Sequence, residues 1–164
     1  MLISLLFAGC ASRPPLQTVS SVDLGRYAGK WYEIAKYPNF FQRGCLSGTT
    51  AEYSANPDGT IRVVNQCVGR DGQAIRVVGK ASVVPDTRNT KLKVSFGGPI
   101  SGAYWIIGLD EEGYKWALVG HPSRKFLWIL SRQPNLPPKT YEKILQLLRE
   151  RGYDPARLEL TPQK

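Results

Sequence analysis

Few side chains in this sequence have the types and spacing that catalysis needs. The one histidine, His121, is followed by Pro122 and Ser123, and we interpret Ser123 as a turn residue and not as a nucleophile. Glu33 is the one acid expected inside the fold, where burial raises a carboxyl pKa, although buried acids are usually paired. The sequence has no glycine-rich phosphate loop and no metal-ligand motif. We therefore predict no catalytic residue, no metal site and no cofactor.

The N-terminal stretch predicts export and lipid attachment. The letters LFAGC end at Cys10 and resemble the bacterial lipobox, in which the cysteine becomes the lipidated N-terminus carrying palmitate. We interpret residues 1–9 as part of a signal peptide, and an uncleaved apolar leader followed by a chance cysteine is the alternative. Residues 10–21 are rich in Pro and Ser and are interpreted as a lipidated tether. Ala11, directly after the cysteine, favours the outer membrane over the inner membrane.

The composition fits one β-rich domain with a basic surface. The chain has 164 residues, of which 42% are hydrophobic, and its 16 Gly and 12 Pro supply many turns. Its net charge of +9 favours an anionic partner such as a phospholipid surface or a fatty acid. Because the cations are scattered along the chain and form no single stripe, we do not expect a nucleic-acid partner.

Eight short strands, separated by turn signals, predict an all-β fold. Their sequences are WYEIAKY, SGTTAEYSA, TIRVVNQC, QAIRVVGKASVV, TKLKVSFG, AYWIIGLD, YKWALVG and KFLWILSR. An eight-stranded antiparallel up-and-down barrel suits this pattern because closure leaves no exposed edge. One C-terminal α-helix is expected to pack on the outside of the last strands. Its apolar stripe consists of Tyr141, Ile144, Leu145 and Leu148.

The second and third strands also bear on the two remaining cysteines. The turn NPDG between them predicts a hairpin that brings Cys45 and Cys67 to the same end. An exported protein meets an oxidising compartment, so a disulfide is favoured. Two separate buried thiols are the alternative, because the sequence does not show whether the two Cβ atoms meet.

Three motifs in this order resemble the lipocalin family, and specifically its bacterial outer-membrane lipoprotein branch, which is similar to apolipoprotein D. They are Gly29-Lys30-Trp31-Tyr32, the turn GLDEEGYKWALV, and Arg132 after the last strand. The turn departs from the family's Thr-Asp-Tyr. The resemblance implies a barrel domain over residues 22–164. It gives Gly29, Trp31 and Arg132 a structural role, in which Trp31 plugs one end of the barrel under the guanidinium of Arg132.

Strand alternation then predicts which side chains face the lumen. On the first strand, Glu33, Ala35 and Tyr37 are expected to follow Trp31 inward. For each lumen residue plain core packing is the alternative to ligand contact. The predicted ligand-binding residues are Ala51, Val63, Val77, Val94, Phe96, Tyr104, Val119, Phe126 and Trp128. Those expected nearest the mouth are Phe96, Tyr104 and Phe126.

The resemblance implies a lipid-binding and lipid-transport protein that holds a fatty acid or a lysophospholipid. It also implies attachment to the outer membrane through the lipid on Cys10, facing the periplasm, and a role in membrane maintenance or stress. Two alternatives remain open. One is an isomerase-type enzyme with this fold, and the other is a structural lipoprotein whose barrel is filled by its own side chains. A homodimer is also left open.

Overall fold

In the computed structural model, which describes residues 13–163, eight antiparallel strands pair in chain order and close into a barrel. Strand β1 pairs with both β2 and β8, which closes the sheet. The predicted eight-stranded barrel is confirmed. The strands are β1 (Gly29–Lys36), β2 (Cys45–Ala55), β3 (Ile61–Gly69), β4 (Ala74–Val83), β5 (Lys91–Ser95), β6 (Gly102–Leu109), β7 (Trp116–Gly120) and β8 (Leu127–Ser131).

Shorter elements flank the barrel. Helix α1 (Leu24–Tyr27) precedes β1, a 3-10 turn (Phe40–Gln42) lies between β1 and β2, and helix α2 (Pro138–Glu150) follows β8. A second 3-10 turn (Pro155–Arg157) leads to β9 (Glu159–Leu160), which pairs with the end of β1. Within the described part of the chain, no helix has the length and hydrophobicity to cross a bilayer.

Apolar side chains form two clusters, one inside the barrel and one between the barrel and α2. Strand β8 supplies both, with Leu130 in the inner cluster and Ile129 in the outer one. This explains why its sequence is apolar on both faces. Ile144 and Leu148 of α2 are fully buried in the outer cluster. The predicted position of the helix, outside the last strands, is confirmed.

Trp31 and Arg132 close one end of the barrel. Trp31 is fully buried, and its indole N–H donates to the carbonyl of Tyr27 at 2.8 Å. The guanidinium carbon of Arg132 lies 3.8 Å from the centroid of the indole ring. The same guanidinium donates to the carbonyl of Lys30 at 2.9 Å and to that of Arg26 at 2.6 Å. The plug is therefore tied to the segment that crosses this end of the barrel.

Gly29 lies where the crossing segment turns into β1. Its φ of 92° is in the left-handed region that favours glycine. A Cβ at this position would lie 3.5 Å from Nη1 of Arg132, an ordinary van der Waals distance, so it is the backbone conformation that favours glycine here. In this geometry the Gly-x-Trp pattern serves the closed end and not the lumen.

Strand β1 does not keep the predicted alternation along its whole length. Its register with β8 shifts between Glu33 and Ala35. Before the shift, Trp31 belongs to the inner cluster, whereas Ala35 and Tyr37 belong to the outer cluster. The prediction that Ala35 and Tyr37 face the lumen is wrong, because a β-bulge moves the residues that follow it to the other face.

The disulfide is present and joins the start of β2 to the end of β3. The Cα atoms of Cys45 and Cys67 lie 5.6 Å apart, and 22 positions separate them in the sequence. A crosslink over a loop of this length restricts the unfolded chain enough to stabilise the fold by about 3 kcal/mol. The alternative of two separate thiols is excluded.

Residues 13–21, which belong to the predicted tether, lie on the barrel. Leu16 is only 6% exposed and packs in the outer cluster. Arg124 donates from Nη2 to the carbonyl of Pro14 at 2.8 Å. Burial of the apolar Leu16 side chain against the barrel offsets the conformational entropy that this segment loses. The predicted signal peptide and lipidation site lie outside the described residues.

Replacing Arg132 by Ala should lower the free energy of unfolding by about 2–3 kcal/mol, because a cation–π contact and three side-chain hydrogen bonds are lost. Arg132→Lys should give an intermediate loss, since one ammonium group cannot reproduce the guanidinium fork. Urea unfolding followed by tryptophan fluorescence measures both. Lys139→Ala, an exposed cation on α2, is the control and should change stability by less than about 0.5 kcal/mol. A loss for Arg132→Ala no larger than the control's would contradict the plug.

Candidate functional site

The two ends of the barrel differ in construction. Around the plugged end, called the closed end here, lie α1 and the loops 56–60, 84–90 and 110–115. The opposite end, called the mouth, is formed by the loops 37–44, 70–73, 96–101 and 121–126. Because Trp31 and Arg132 occupy one end, the mouth is where a ligand can enter the lumen.

Most of the predicted ligand-binding residues line the inner wall. Those that belong to the inner cluster or pack against it are Ala51, Val63, Val94, Tyr104, Val119 and Trp128. Val77 also faces inward, since it pairs with Asn65, which itself pairs with Ala51 of the inner wall. Val77 is nevertheless 45% exposed. An inward apolar side chain that meets solvent shows that the lumen is open at this point.

Phe96 gives the same indication on the neighbouring strand. It continues the inward series of β5, and its ring lies 2.6 Å from where a Cβ on Gly79 would be. Gly79 therefore makes room for the ring on the inner wall. Phe96 is still 48% exposed. The wall formed by β4 and β5 is thus apolar and accessible from the mouth.

The 3-10 turn Phe40–Gln42, called the lid here, covers the other half of the mouth. The ring centroid of Phe41 lies 5.6 Å from that of Phe126 and 6.1 Å from that of Trp128. The indole N–H of Trp128 donates to the side-chain oxygen of Gln42 at 2.8 Å. Both predicted residues on this side, Phe126 and Trp128, are therefore in contact with the lid. The lid itself was not predicted.

Glu33 holds the lid from below. Its carboxylate accepts from Nε2 of Gln42 at 2.7 Å and from Oγ1 of Thr161 at 2.6 Å. Burial raises the pKa of Glu33 above its ordinary value of 4.5, and these two hydrogen bonds offset part of the rise. The expectation that this buried acid is paired is met at a place the sequence did not indicate. Glu33 lies under the lid, where the C-terminal residues 159–163 fit beside the end of β1 and supply Thr161.

Three tyrosines share hydrogen bonds in the deep part of the lumen. The hydroxyl of Tyr104 lies 2.8 Å from those of Tyr27 and Tyr53. Burial raises the pKa of Tyr53 to about 12 and the pKa values of Tyr27 and Tyr104 well above 10, so all three stay neutral. Three hydroxyl protons serve two hydrogen bonds, which leaves one proton for a ligand acceptor or a water.

The depth of Tyr104 differs from the sequence prediction, which placed it near the mouth. Tyr104 pairs with Leu92, the second residue of β5, beside the closed-end loop 84–90. A cavity of about 170 Å³ adjoins this tyrosine group. Its lining is mainly apolar and comes from α1, the closed-end loop 56–60 and strands β2 to β6. Cavities of this size hold benzene-sized apolar groups. The deep lumen therefore offers an apolar recess.

Cations converge on the mouth although they are scattered in the sequence. They line a cleft of about 750 Å³ beside the lid and are Lys36, Arg43, Arg70, Lys125 and Arg157. Glu159 lies in the same cleft and forms an ion pair with Lys36 at 2.9 Å. Among the described residues, the other four cations have no carboxylate within ion-pair distance. Sequence reasoning missed this cluster because its residues come from distant parts of the chain and only the tertiary fold brings them together.

His121 lies in the mouth loop 121–126. Its Nδ1 is 2.7 Å from Oγ of Ser123 and accepts from the backbone N–H of Ser123 at 3.1 Å. The ring packs on Phe126 with a centroid distance of 5.5 Å. These are the contacts of a tight turn, which is the role that the sequence predicts for Ser123.

The site combines an apolar lumen with a basic mouth. Comparisons with known proteins show the family and the fold that carry this site. A family model described as a lipocalin-like domain matches residues 22–163. The outer membrane lipoprotein Blc of Vibrio cholerae is 39% identical over 100% of this chain and 96% of its own length. Apolipoprotein D of Macaca fascicularis is 32% identical over 95% of this chain and 84% of its own.

A solved structure shows the same fold. Insecticyanin from the tobacco hornworm Manduca sexta superposes with a TM-score of 0.75 at 26% identity. The match covers 92% of this chain and 86% of that protein. The architecture of barrel and external helix is therefore shared along nearly the whole chain.

The pH dependence of stability should report the buried acid. Because folding raises the pKa of Glu33, the free energy of unfolding should fall as pH rises from 4.5 towards the raised value. Glu33→Gln, which cannot ionise, should flatten this part of the profile. Urea unfolding at several pH values measures it, with Glu52→Gln on the outer face as the control. The raised pKa of Glu33 would be contradicted if, over the same pH range, the free energy of unfolding of the wild type rises relative to that of Glu33→Gln.

Proposed function

Because the chain belongs to the lipocalin family, we propose that it binds one single-chain lipid, a fatty acid or a lysophospholipid, inside the barrel. The observation that carries this proposal is the apolar inner wall that is exposed at the mouth, represented by Val77 and Phe96. An eight-stranded barrel has room for one small ligand, and an apolar wall favours an acyl chain.

The charges at the mouth support one orientation of the lipid. The acyl chain lies along the inner wall and reaches towards the apolar recess beside Tyr104. A carboxylate or phosphate head group then lies near Arg43, Arg70 and Lys125, which have no carboxylate partner among the described residues. Charge-assisted hydrogen bonds from these side chains hold the head group at the cleft.

The location of the protein is part of the proposal. The lipobox-like LFAGC supports lipid attachment at Cys10, and the relative in Vibrio cholerae is named an outer membrane lipoprotein. We place this chain on the periplasmic side of the outer membrane, held by more than one acyl chain, since a single chain anchors only weakly. Carrying or scavenging single-chain lipids there fits a role in membrane maintenance or stress.

Native mass spectrometry of the oxidised full chain, mixed with fatty acids and lysophospholipids, tests the ligand. We expect one lipid per barrel and a shift in tryptophan emission. Trp128→Phe should abolish most of this shift, because Trp128 lies at the mouth beside the lid. Trp105→Phe is the matched control and should keep it, since Trp105 packs outside the barrel against Lys91.

Two other outcomes would contradict a carrier that holds its lipid unchanged. If no lipid is retained and no shift occurs, the contacts of Phe41 with Phe126 and Trp128 are the packing of a filled barrel. If added lipid is converted and released, the protein is an enzyme. In that case Glu33→Gln, which removes the buried acid, is the first variant to assay.

A further inference from the structure

The N-terminal segment runs along the outside of the barrel from the mouth to the closed end. The backbone N–H of Val22 donates to the carbonyl of Arg88 in a closed-end loop at 3.1 Å. Nearer the N-terminus, the carbonyl of Pro14 accepts from Arg124 in a mouth loop. Burial raises the pKa of Tyr37 at the mouth, and the positive charge of Arg13 offsets part of this rise. Arg13 therefore lies near Tyr37. The chain therefore reaches the barrel at its mouth.

This path fixes where a lipid anchor must lie. Cys10 precedes Arg13 by three positions. Even a fully extended chain spans no more than about 10 Å over three residues. A lipid on Cys10 therefore holds the mouth close to the membrane and leaves the closed end about a barrel length away. This step uses the proposed lipidation, whereas the next two observations do not.

Exposed apolar side chains are concentrated at the mouth. Phe40 in the lid is 68% exposed, and Ile100 in the loop 96–101 is 82% exposed. Phe41 and Phe96 beside them are each about half exposed. Among the described residues, none of the large exposed apolar side chains lies in a closed-end loop. Exposed aromatic and aliphatic groups clustered in this way mark an interaction surface.

The loops at the two ends carry opposite charge. The four mouth loops hold four cations, Arg43, Arg70, Arg124 and Lys125, and one acid, Asp71. The three closed-end loops hold two cations and five acids. The acids are Asp58, Asp86, Asp110, Glu111 and Glu112. The mouth is thus the end that an anionic surface attracts, and the closed end is the end that it repels.

We propose that the mouth docks on an anionic lipid bilayer, with Phe40 and Ile100 entering the interface and the surrounding cations contacting lipid phosphates. The barrel then opens directly onto the surface that supplies or receives its lipid. Docking needs no ligand in the lumen. If the protein binds lipid in its lumen but does not bind anionic vesicles, only this inference is overturned. If it binds anionic vesicles but retains no lipid, only the proposed ligand is overturned.

Vesicle co-sedimentation of the full chain tests the surface. The vesicles are phosphatidylcholine alone or phosphatidylcholine with about one third phosphatidylglycerol, and binding should be stronger to the second. The double variant Arg43→Glu with Lys125→Glu should weaken binding to anionic vesicles by about tenfold or more, because each cation near such a surface contributes severalfold. Lys139→Glu, the same charge change on α2, is the control.

The apolar contribution needs its own pair of variants. Phe40→Ser with Ile100→Ser should weaken binding to the anionic vesicles, whereas Val78→Ser on the outer wall should not, although Val78 is 44% exposed. If the mouth variants bind as tightly as their controls, the proposal is overturned. It is equally overturned if Phe40→Ser with Ile100→Ser breaks a concentration-dependent dimer and leaves vesicle binding unchanged, because a second copy then covers the mouth.

A fluorophore at each end tests the orientation itself. Ser101→Cys labels the mouth and Glu111→Cys labels the closed end, in the full chain with Cys10→Ser, while Cys45 and Cys67 stay bonded. On anionic vesicles that contain a lipid quencher, emission from the Ser101 position should be quenched and emission from the Glu111 position should not. Equal quenching at both positions, or stronger quenching at the Glu111 position, would overturn the orientation.

Discussion

The stacking of Arg132 on Trp31 is the contact on which the rest of this structure depends. A barrel open at both ends would let a bound chain leave in either direction. Here a fully buried indole fills one end, and one guanidinium covers its face while donating to two carbonyls of the crossing segment. Gly29 adopts the backbone conformation that lets this segment approach. The plug therefore fills the centre of this end, and the opposite end is the entrance that we propose for a ligand.

The features that a ligand or a partner would meet then lie at the other end. The apolar wall under Val77 and Phe96 is exposed there, and the lid rests there on Glu33. The unpaired cations and the start of the described chain lie at the same end. In the docking orientation that we propose, these features face the lipid surface together. An amphiphile can then move between bilayer and lumen with its head group near cations throughout.

Short-range patterns of residue types predicted the secondary structure and the hairpin contacts. Alternation and turn residues predicted the eight strands, helical periodicity predicted α2, and the hairpin favoured the bond between Cys45 and Cys67. Tertiary constraints produced the differences. The bulge after Glu33 turned Ala35 and Tyr37 outward, and no residue type announces it. The lid, the C-terminal partner of Glu33 and the basic cleft all join residues that are far apart in sequence.

Fluorine NMR of the protein with fluorotryptophan, loaded with nitroxide-labelled fatty acids, tests entry through the mouth most directly. Trp128 lies at the mouth, and Trp31 lies at the closed end beside Tyr27 at a centroid distance of 4.9 Å. A nitroxide near the carboxylate of the fatty acid should broaden the Trp128 resonance most. A nitroxide near the terminal methyl should broaden the Trp31 resonance more than the carboxylate label does. The reverse order, or equal broadening by both labels, would contradict entry through the mouth with the head group held there.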